Sequence, residues 1–381
     1  MKHNFDKKID RRNSDSIKWN RYESDVIPLW VADMDFRSPD AVIRNLKFRV
    51  EHGVYGYPQE NNQLKQTIVD RMNKLYNWII SAEDIILTPG VVPSFNLACR
   101  TFAAPGDSVI IQTPVYPPFF KAPENARVKR IENPLIQDAD GSFKIGFDHF
   151  SNSINESTHL FILCNPHNPV GRVFSREELK TLAEICLKND IIICSDEIHC
   201  DLVFSEHKHI PIAAINEDIA QNSITLMSPS KTFNIAGLGC SFIIAQNPKI
   251  REQLKTNMNG ITGHVNIFGY TAALAAYREG EQWLQSVMDY LENNRDYVYD
   301  FVNSKLTGIS MTLPEATYLA WLDCRGLELK ENPYHFFLDK AKVALNDGCA
   351  FGEPGVGFVR FNFGCTRSIL EEALNRMRSV L

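Results

Sequence analysis

No apolar run in the chain approaches eighteen residues, so no segment is expected to span a membrane. The opening stretch, MKHNFDKKIDRRNSDS, is charged and carries no apolar core of the kind found in secretory signals, and a cytoplasmic location is expected. Nine cysteines are present but none are spaced as CxxC, and Cys99, Cys164, Cys186 and Cys194 lie inside apolar runs. They read as small core hydrophobes in a reducing compartment rather than as bridges. A basic stripe is missing too: 40 Lys and Arg face 46 Asp and Glu, a net charge of -6, which excludes a phosphate-neutralising surface and with it a nucleic-acid partner. Neither GxGxxG nor a Walker lysine occurs, so nucleotide binding is poorly supported. Internal repeats, low-complexity segments and long linkers are absent as well.

What remains is the composition of a soluble globular protein, 44% hydrophobic and 23% charged. At 381 residues the chain is long enough for a large and a small domain, each with its own core. The patch IPLWVADMDF from Ile27 ends in Asp33 and Asp35. With no histidine or further carboxylate beside them, turn formation and helix capping are the expected uses of Asp35 and Asp40, and Pro39 opens a helix that runs through Ala41 to Val50. HGVYGYPQ, residues 52 to 59, is loop, and Tyr55 and Tyr57 either reach a ligand from it or cover core edges. A helix from Gln63 to Tyr76 leads to a strand at Ile85 to Leu87, a break at Thr88, Pro89 and Gly90, and a helix from Val91 to Phe102. Strand, glycine turn and helix together offer free N-H groups and a dipole to an anion.

The strand Ser108 to Gln112 ends in TPVYPPF, where Tyr116 sits among prolines, placed either to stack on a flat ligand or to plug the sheet edge. A third strand is expected near Ala126 to Ile131. Three further apolar runs then each deliver one chemically capable side chain. LFILC precedes Asn168 in NPHNPVG, IIIC precedes Asp196 in SDEIHCD, and ITLM precedes Lys231 in SPSKTF. Short continuous apolar runs are expected of parallel strands covered by helices on both faces, and ligands of open α/β sheets bind at the carboxyl ends.

Lys231, set between hydroxyl residues beyond a buried strand, is placed to lose its proton and form a Schiff base with a carbonyl cofactor. Asn168 is either an amide donor to a ligand or a turn starter. Asp196, Glu197, His199, Cys200 and Asp201 are too dispersed by strand geometry for a metal site. Ser175 and Glu178 form a capping box for a helix to Asn189. Beyond a strand at Ser241 to Gln246, helices are expected at Pro248 to Met258, Val265 to Arg278 and Glu281 to Leu306, the last linking two domains. A smaller α/β cap follows, in which strand and helix alternate: Tyr318 to Asp323, Pro333 to Leu345, Phe358 to Phe363 and Arg367 to Leu381. In FVRFNF, Arg360 requires an anion, supplied by a salt bridge or by a substrate carboxylate.

Asparagine, aspartate and an SxSK lysine, each closing a strand in this order, resemble the fold-type I pyridoxal phosphate (PLP) enzymes of the aspartate aminotransferase superfamily. WVADMDF, YGY, TPGVVPS, PVYPPF, NPHNPVGRVF, SDEIHCDLVF and SKTFNIAGL are similar to the cystathionine β-lyase subfamily of C-S lyases. The resemblance implies residues 46-280 as a large PLP-binding domain with a mostly parallel mixed sheet, and 281-381 as a small α/β domain against which 1-45 packs. It also implies Lys231 as the Schiff-base lysine, Asp196 as partner of the pyridine nitrogen, Asn168 as donor to the ring hydroxyl oxygen and Tyr116 as the stacking aromatic. His199 would lie beside Asn168. Val91 and Val92 would offer amides, and Ser228 and Ser230 hydroxyls, to the phosphate. Ala32, Tyr57 and Arg360 would contact substrate, Arg360 holding its α-carboxylate.

A departure is Gly239, which stands where many relatives of the superfamily carry a phosphate-binding arginine, though the C-S lyases share it. Tyr55 or Tyr57 would reach the neighbouring subunit's site in a homodimer. The implied activity is β-elimination of cystathionine or another S-substituted cysteine. Transamination, or a regulatory role for a cofactor-binding protein, are the alternatives.

Overall fold

The computed structural model describes residues 3–381. Seven strands form the central sheet, in the order Ile85–Thr88, Ser241–Ile244, Ser223–Met227, Ile192–Asp196, Thr158–Cys164, Ser108–Thr113 and Lys129–Pro134. Only Ser241–Ile244 runs antiparallel to its neighbours. The remaining pairs are parallel. Six of the strands, all but Lys129–Pro134, are buried almost throughout, which is why they read as largely apolar runs.

Helices cover both faces. Phe95, Leu97 and Ala98 of the helix Val91–Phe102 pack with Ile111, Ile162 and Leu226. On the other face Leu179, Leu182 and Cys186 of Arg176–Lys188 pack with Ile110, Phe161 and Ile193. The capping box is present: the Ser175 hydroxyl accepts from the Glu178 amide at 3.1 Å while Glu178 accepts from the Ser175 amide at 2.8 Å.

The long helix Glu281–Lys305 leads to a three-stranded antiparallel sheet of Leu319–Asp323, Phe358–Asn362 and Asn346–Asp347, backed by Arg367–Arg378. Near the start of the chain, Ile27–Pro28 pairs in parallel with Val343–Ala344.

Three expectations are corrected. The strand expected near Ala126 to Ile131 is present but starts only at Lys129 and runs to Pro134, because Ala126 is the last residue of a helix, Pro118–Ala126. Proline is tolerated in a first turn whose N-H has no partner, and the helix stops at the left-handed Arg127 (φ 61). The stretch from Pro333 is not one helix to Leu345: Pro333–Phe336 widens into the π turn Phe337–Ala341, left-handed Lys342 ends it, and Val343–Ala344 is strand. Asp35 caps nothing. It is buried, paired with Lys18 at 2.9 Å and Arg11 at 2.7 Å, and accepts from the Trp19 indole at 2.8 Å. Asp40 is the first residue of its helix and pairs with Arg37 at 2.6 Å.

Candidate active site

Three adjacent parallel strands, Thr158–Cys164, Ile192–Asp196 and Ser223–Met227, end on one side of the sheet. Asp196 is the last residue of its strand, Asn168 lies in the turn after the first, and Lys231 in the short helix Pro229–Thr232 after the third. Ser228 caps that helix, its hydroxyl accepting from the Ser230 amide at 3.1 Å. An open cleft lies over these ends, lined among others by Lys231, Asn168, Asp196, Tyr116 and His199. Ala32, Val91, Val92, Ser228 and Ser230 line it too.

Burial governs the ionisation of this set. Lys231 is lowered to about 8, first by desolvation and then by the Arg360 charge, so its amine is readily freed of its proton. It donates to the Ala32 carbonyl at 2.6 Å, and Tyr318 donates to the same oxygen at 2.9 Å. Asp196 is pushed up to about 7 by desolvation, against which the Ile198 amide, 3.1 Å from one carboxylate oxygen, works in part. Desolvation lowers His199 to about 3, so the ring is neutral, and its Nδ1 is buried without a partner. Tyr116 is raised by burial and stays a neutral phenol.

Arg360 is 3% exposed and has no carboxylate partner among the described residues. It donates instead to neutral oxygens: Asn168 Oδ1 at 2.9 Å, the Trp30 carbonyl at 2.8 Å and Asn346 Oδ1 at 2.6 Å. Burial lowers it only to about 10, so the cation persists at neutral pH. Of the two readings of FVRFNF, the salt bridge is ruled out among the described residues, and the unanswered cation stands one hydrogen bond from the cleft, through Asn168. A buried guanidinium held in place by neutral acceptors suits an incoming carboxylate.

At the opposite end the helix Val91–Phe102 begins at Gly90, and the amides of its first turn have no partner within the helix. The donor set therefore fits pyridoxal phosphate. An ionisable carboxylate stands ready for a basic ring nitrogen, an amide for a ring oxygen, a depressed lysine for an aldehyde, and a helix start with two hydroxyls for a phosphate.

The model of the family described as aminotransferase class I and II matches residues 24–377. The chain belongs to this family. Its architecture is that of the fold-type I PLP enzymes. Cystathionine beta-lyase PatB of Bacillus subtilis (strain 168) is 39% identical over 99% of this chain and 100% of its own length. Protein MalY of Escherichia coli (strain K12) is 31% identical over 99% of both. The crystal structure of cystalysin from Treponema denticola, described as containing a pyridoxal 5'-phosphate cofactor, superposes with a TM-score of 0.96 at 37% identity, covering 100% of this chain and 99% of that one.

Within this family frame, Tyr55 and Tyr57 are not brought to the chain's own cleft. Tyr55 donates to the Val50 carbonyl at 2.8 Å and packs against Phe268 at 5.5 Å, while Tyr57 is fully exposed on the 52–61 loop. Sequence reasoning missed Tyr318, Trp30 and Asn346, which orient Ala32 and Arg360. Tyr318 and Asn346 stand in no recognisable motif, and Trp30, the first residue of WVADMDF, acts through its backbone carbonyl, which the motif does not single out; only the packing of the small antiparallel sheet and the N-terminal segment against the cleft brings them in. It also left Glu197 unassigned. That carboxylate is buried, takes His209 at 2.7 Å, and accepts from Ser195 at 2.8 Å and the Ile212 amide at 3.1 Å, so it ties down the loop behind Asp196.

Proposed function

We propose that the chain is a PLP-dependent carbon-sulfur β-lyase that cleaves cystathionine or a related S-substituted cysteine by α,β-elimination to a thiol, pyruvate and ammonia. The observation that carries this reading is the buried Arg360, without a carboxylate partner and bonded to Asn168, which lines the same cleft as Lys231 and Asp196, in a chain whose relatives include cystathionine β-lyases over 98–100% of their length.

PLP, when bound, supplies an electron sink for the pair left at Cα. Asp196, once ionised, would hold a proton on the cofactor's ring nitrogen. Arg360 takes the substrate α-carboxylate bidentately and fixes the direction of the Cα-H bond. The Lys231 amine, neutral at a lower pH than an exposed lysine, removes the Cα proton. Tyr116 would flank the ring, and the amides of Val91 and Val92 with the hydroxyls of Ser228 and Ser230 would hold the phosphate. Loss of the thiolate from Cβ leaves aminoacrylate, which water converts to pyruvate and ammonia.

A homodimer with shared sites belongs to the same reading. The exposed Phe48, Val50, Val54, Tyr55 and Tyr57 form an apolar region that a second copy would cover, bringing Tyr57 or Tyr55 to the partner's cleft. The division at 45/46 and 280/281 and a cytoplasmic location are likewise proposed. No helix among the described residues is long and apolar enough to cross a membrane.

Incubation with L-cystathionine and with an S-alkyl-L-cysteine tests the chemistry. Pyruvate and thiol are expected in equal amounts, and neither with Lys231→Ala. Conversion of the cofactor to its pyridoxamine form without pyruvate would replace the lyase with a transaminase. Mixing Tyr57→Phe or Tyr55→Phe subunits with Lys231→Ala subunits tests the shared site: activity above that of either parent is expected, and no gain in any combination would remove it.

A further inference from the structure

Asp201 and Thr232 do not line the cleft, yet they join its two most important turns. One Asp201 oxygen accepts from the Thr232 hydroxyl at 3.0 Å, the other pairs with Arg71 at 2.5 Å. The side chains are 5% exposed at Asp201 and 16% at Arg71, so this is a buried ion pair. Such a carboxylate is costly unless both oxygens are satisfied, and here both are. Arg71 in turn lies over the ring of Tyr277 at 4.9 Å, which ties the pair to the helices Asn62–Tyr76 and Ile267–Glu279.

The two ends of the link are chemically significant. Thr232 immediately follows Lys231 and is the last residue of a helix of only four residues, too short to hold its own geometry. Asp201 closes the run of turns that follows Asp196 and contains His199, with Cys200 N bonded to Glu197 O at 3.0 Å and Leu202 N to His199 O at 2.9 Å. We propose that Asp201 and Thr232 are positioning residues for Lys231: the carboxylate, anchored by Arg71, holds the lysine's turn in fixed register with the turn that carries Asp196 and His199. This rests on the PLP reading above and adds to it the device that keeps the amine aimed after it has left the cofactor and must act as a base.

The test uses apoenzyme and free PLP. Lys231 Nζ bonds to the aldehyde carbon and the carbonyl oxygen leaves as water, followed by absorbance and, after hydride reduction, by the mass added to the Lys231 peptide. Thr232→Val, which keeps the volume and removes the hydroxyl, is expected to slow this condensation on the order of tenfold through lost alignment. Its pH midpoint should rise as the amine becomes better hydrated, and kcat should fall with little change in KM. Thr232→Ser should return the rate to within about twofold of wild type, since the hydrogen bond is restored. A wild-type rate and pH midpoint in Thr232→Val would overturn the proposal, and so would Thr232→Ser behaving like Thr232→Val. If Thr232→Val does not fold, Asp201→Asn, which keeps an acceptor oxygen but frees Arg71, is read the same way, and a wild-type rate and midpoint overturn the proposal again. Failure of the wild type to condense would remove the cofactor reading instead, so the two are told apart.

Discussion

Lys231 and Asp196 are each held against their ordinary ionisation, and the signs are opposite. For Lys231 the folded value of about 8 lies below the unfolded 10.5, so between these the unfolded chain binds more protons and stability rises with pH. For Asp196 the folded value of about 7 lies above the unfolded 3.8, so in that window the folded chain binds more protons and stability falls as pH rises. The apoenzyme is therefore least favoured near pH 7 to 8, where both groups carry charge in a dry site, and that same strain favours a ligand that pairs with them. Asp196→Asn is expected to stabilise the apoenzyme at pH 8 on the order of 3 kcal/mol and to do little near pH 4, while weakening PLP binding. Urea unfolding at the two pH values checks this; an equal effect at both would mean that Asp196 is not strained by burial. Asn168, Asp196 and Lys231 were legible in the sequence because each closes an apolar run. Nothing in the residues around Arg360 told whether its anion came from the protein, since its neighbours Trp30, Asn168 and Asn346 lie far away in the chain.

Among the elements, two serine caps separate stability from function. Ser175 and Ser228 both cap helices, but only Ser228 faces the cleft. Ser175→Ala should cost about 1 kcal/mol and leave PLP affinity unchanged. Ser228→Ala should lose a comparable cap and weaken PLP binding as well, because its hydroxyl also bonds to Ser230 at 2.7 Å beside the cleft. Thermal melts with PLP titrations of the two variants decide it, and matching affinities would remove Ser228 from the phosphate site. Helices with periodic apolar faces were readable almost to the residue, as at Val91–Phe102 and Pro248–Met258. Pro118–Ala126 was not, because three prolines argue against a helix locally while burial of Phe119, Ala122 and Pro123 against the sheet outweighs them.

At the scale of the whole molecule the N-terminal segment acts as a clasp. Lys18, fully buried, loses ionisation to desolvation but regains more from Asp35 and Asp33, and it stays charged. Arg11 reaches the same two carboxylates at 2.7 Å each, and the segment between them and the cleft presents the Ala32 carbonyl to Lys231. Lys18→Met should destabilise the protein by about 3–5 kcal/mol by leaving Asp35 underpaired in the core, and adding Asp35→Asn should recover part of the loss. Denaturant unfolding of the single and double variants measures it; additive losses would show that the two residues are not coupled.

The sequence by itself determined the alternation of buried strands and covering helices, the turns at the strand ends and the three residues those turns deliver, since all of these follow from local periodicity, capping and chain order. Only the tertiary structure decided that Asp35 is an ion-pair anchor rather than a cap, that Arg360 has no internal carboxylate, and that Tyr318 and Ala32 meet at Lys231. Those outcomes depend on which distant segments pack together and how far they exclude water, and burial of a charge has no signature in the residues beside it in the chain.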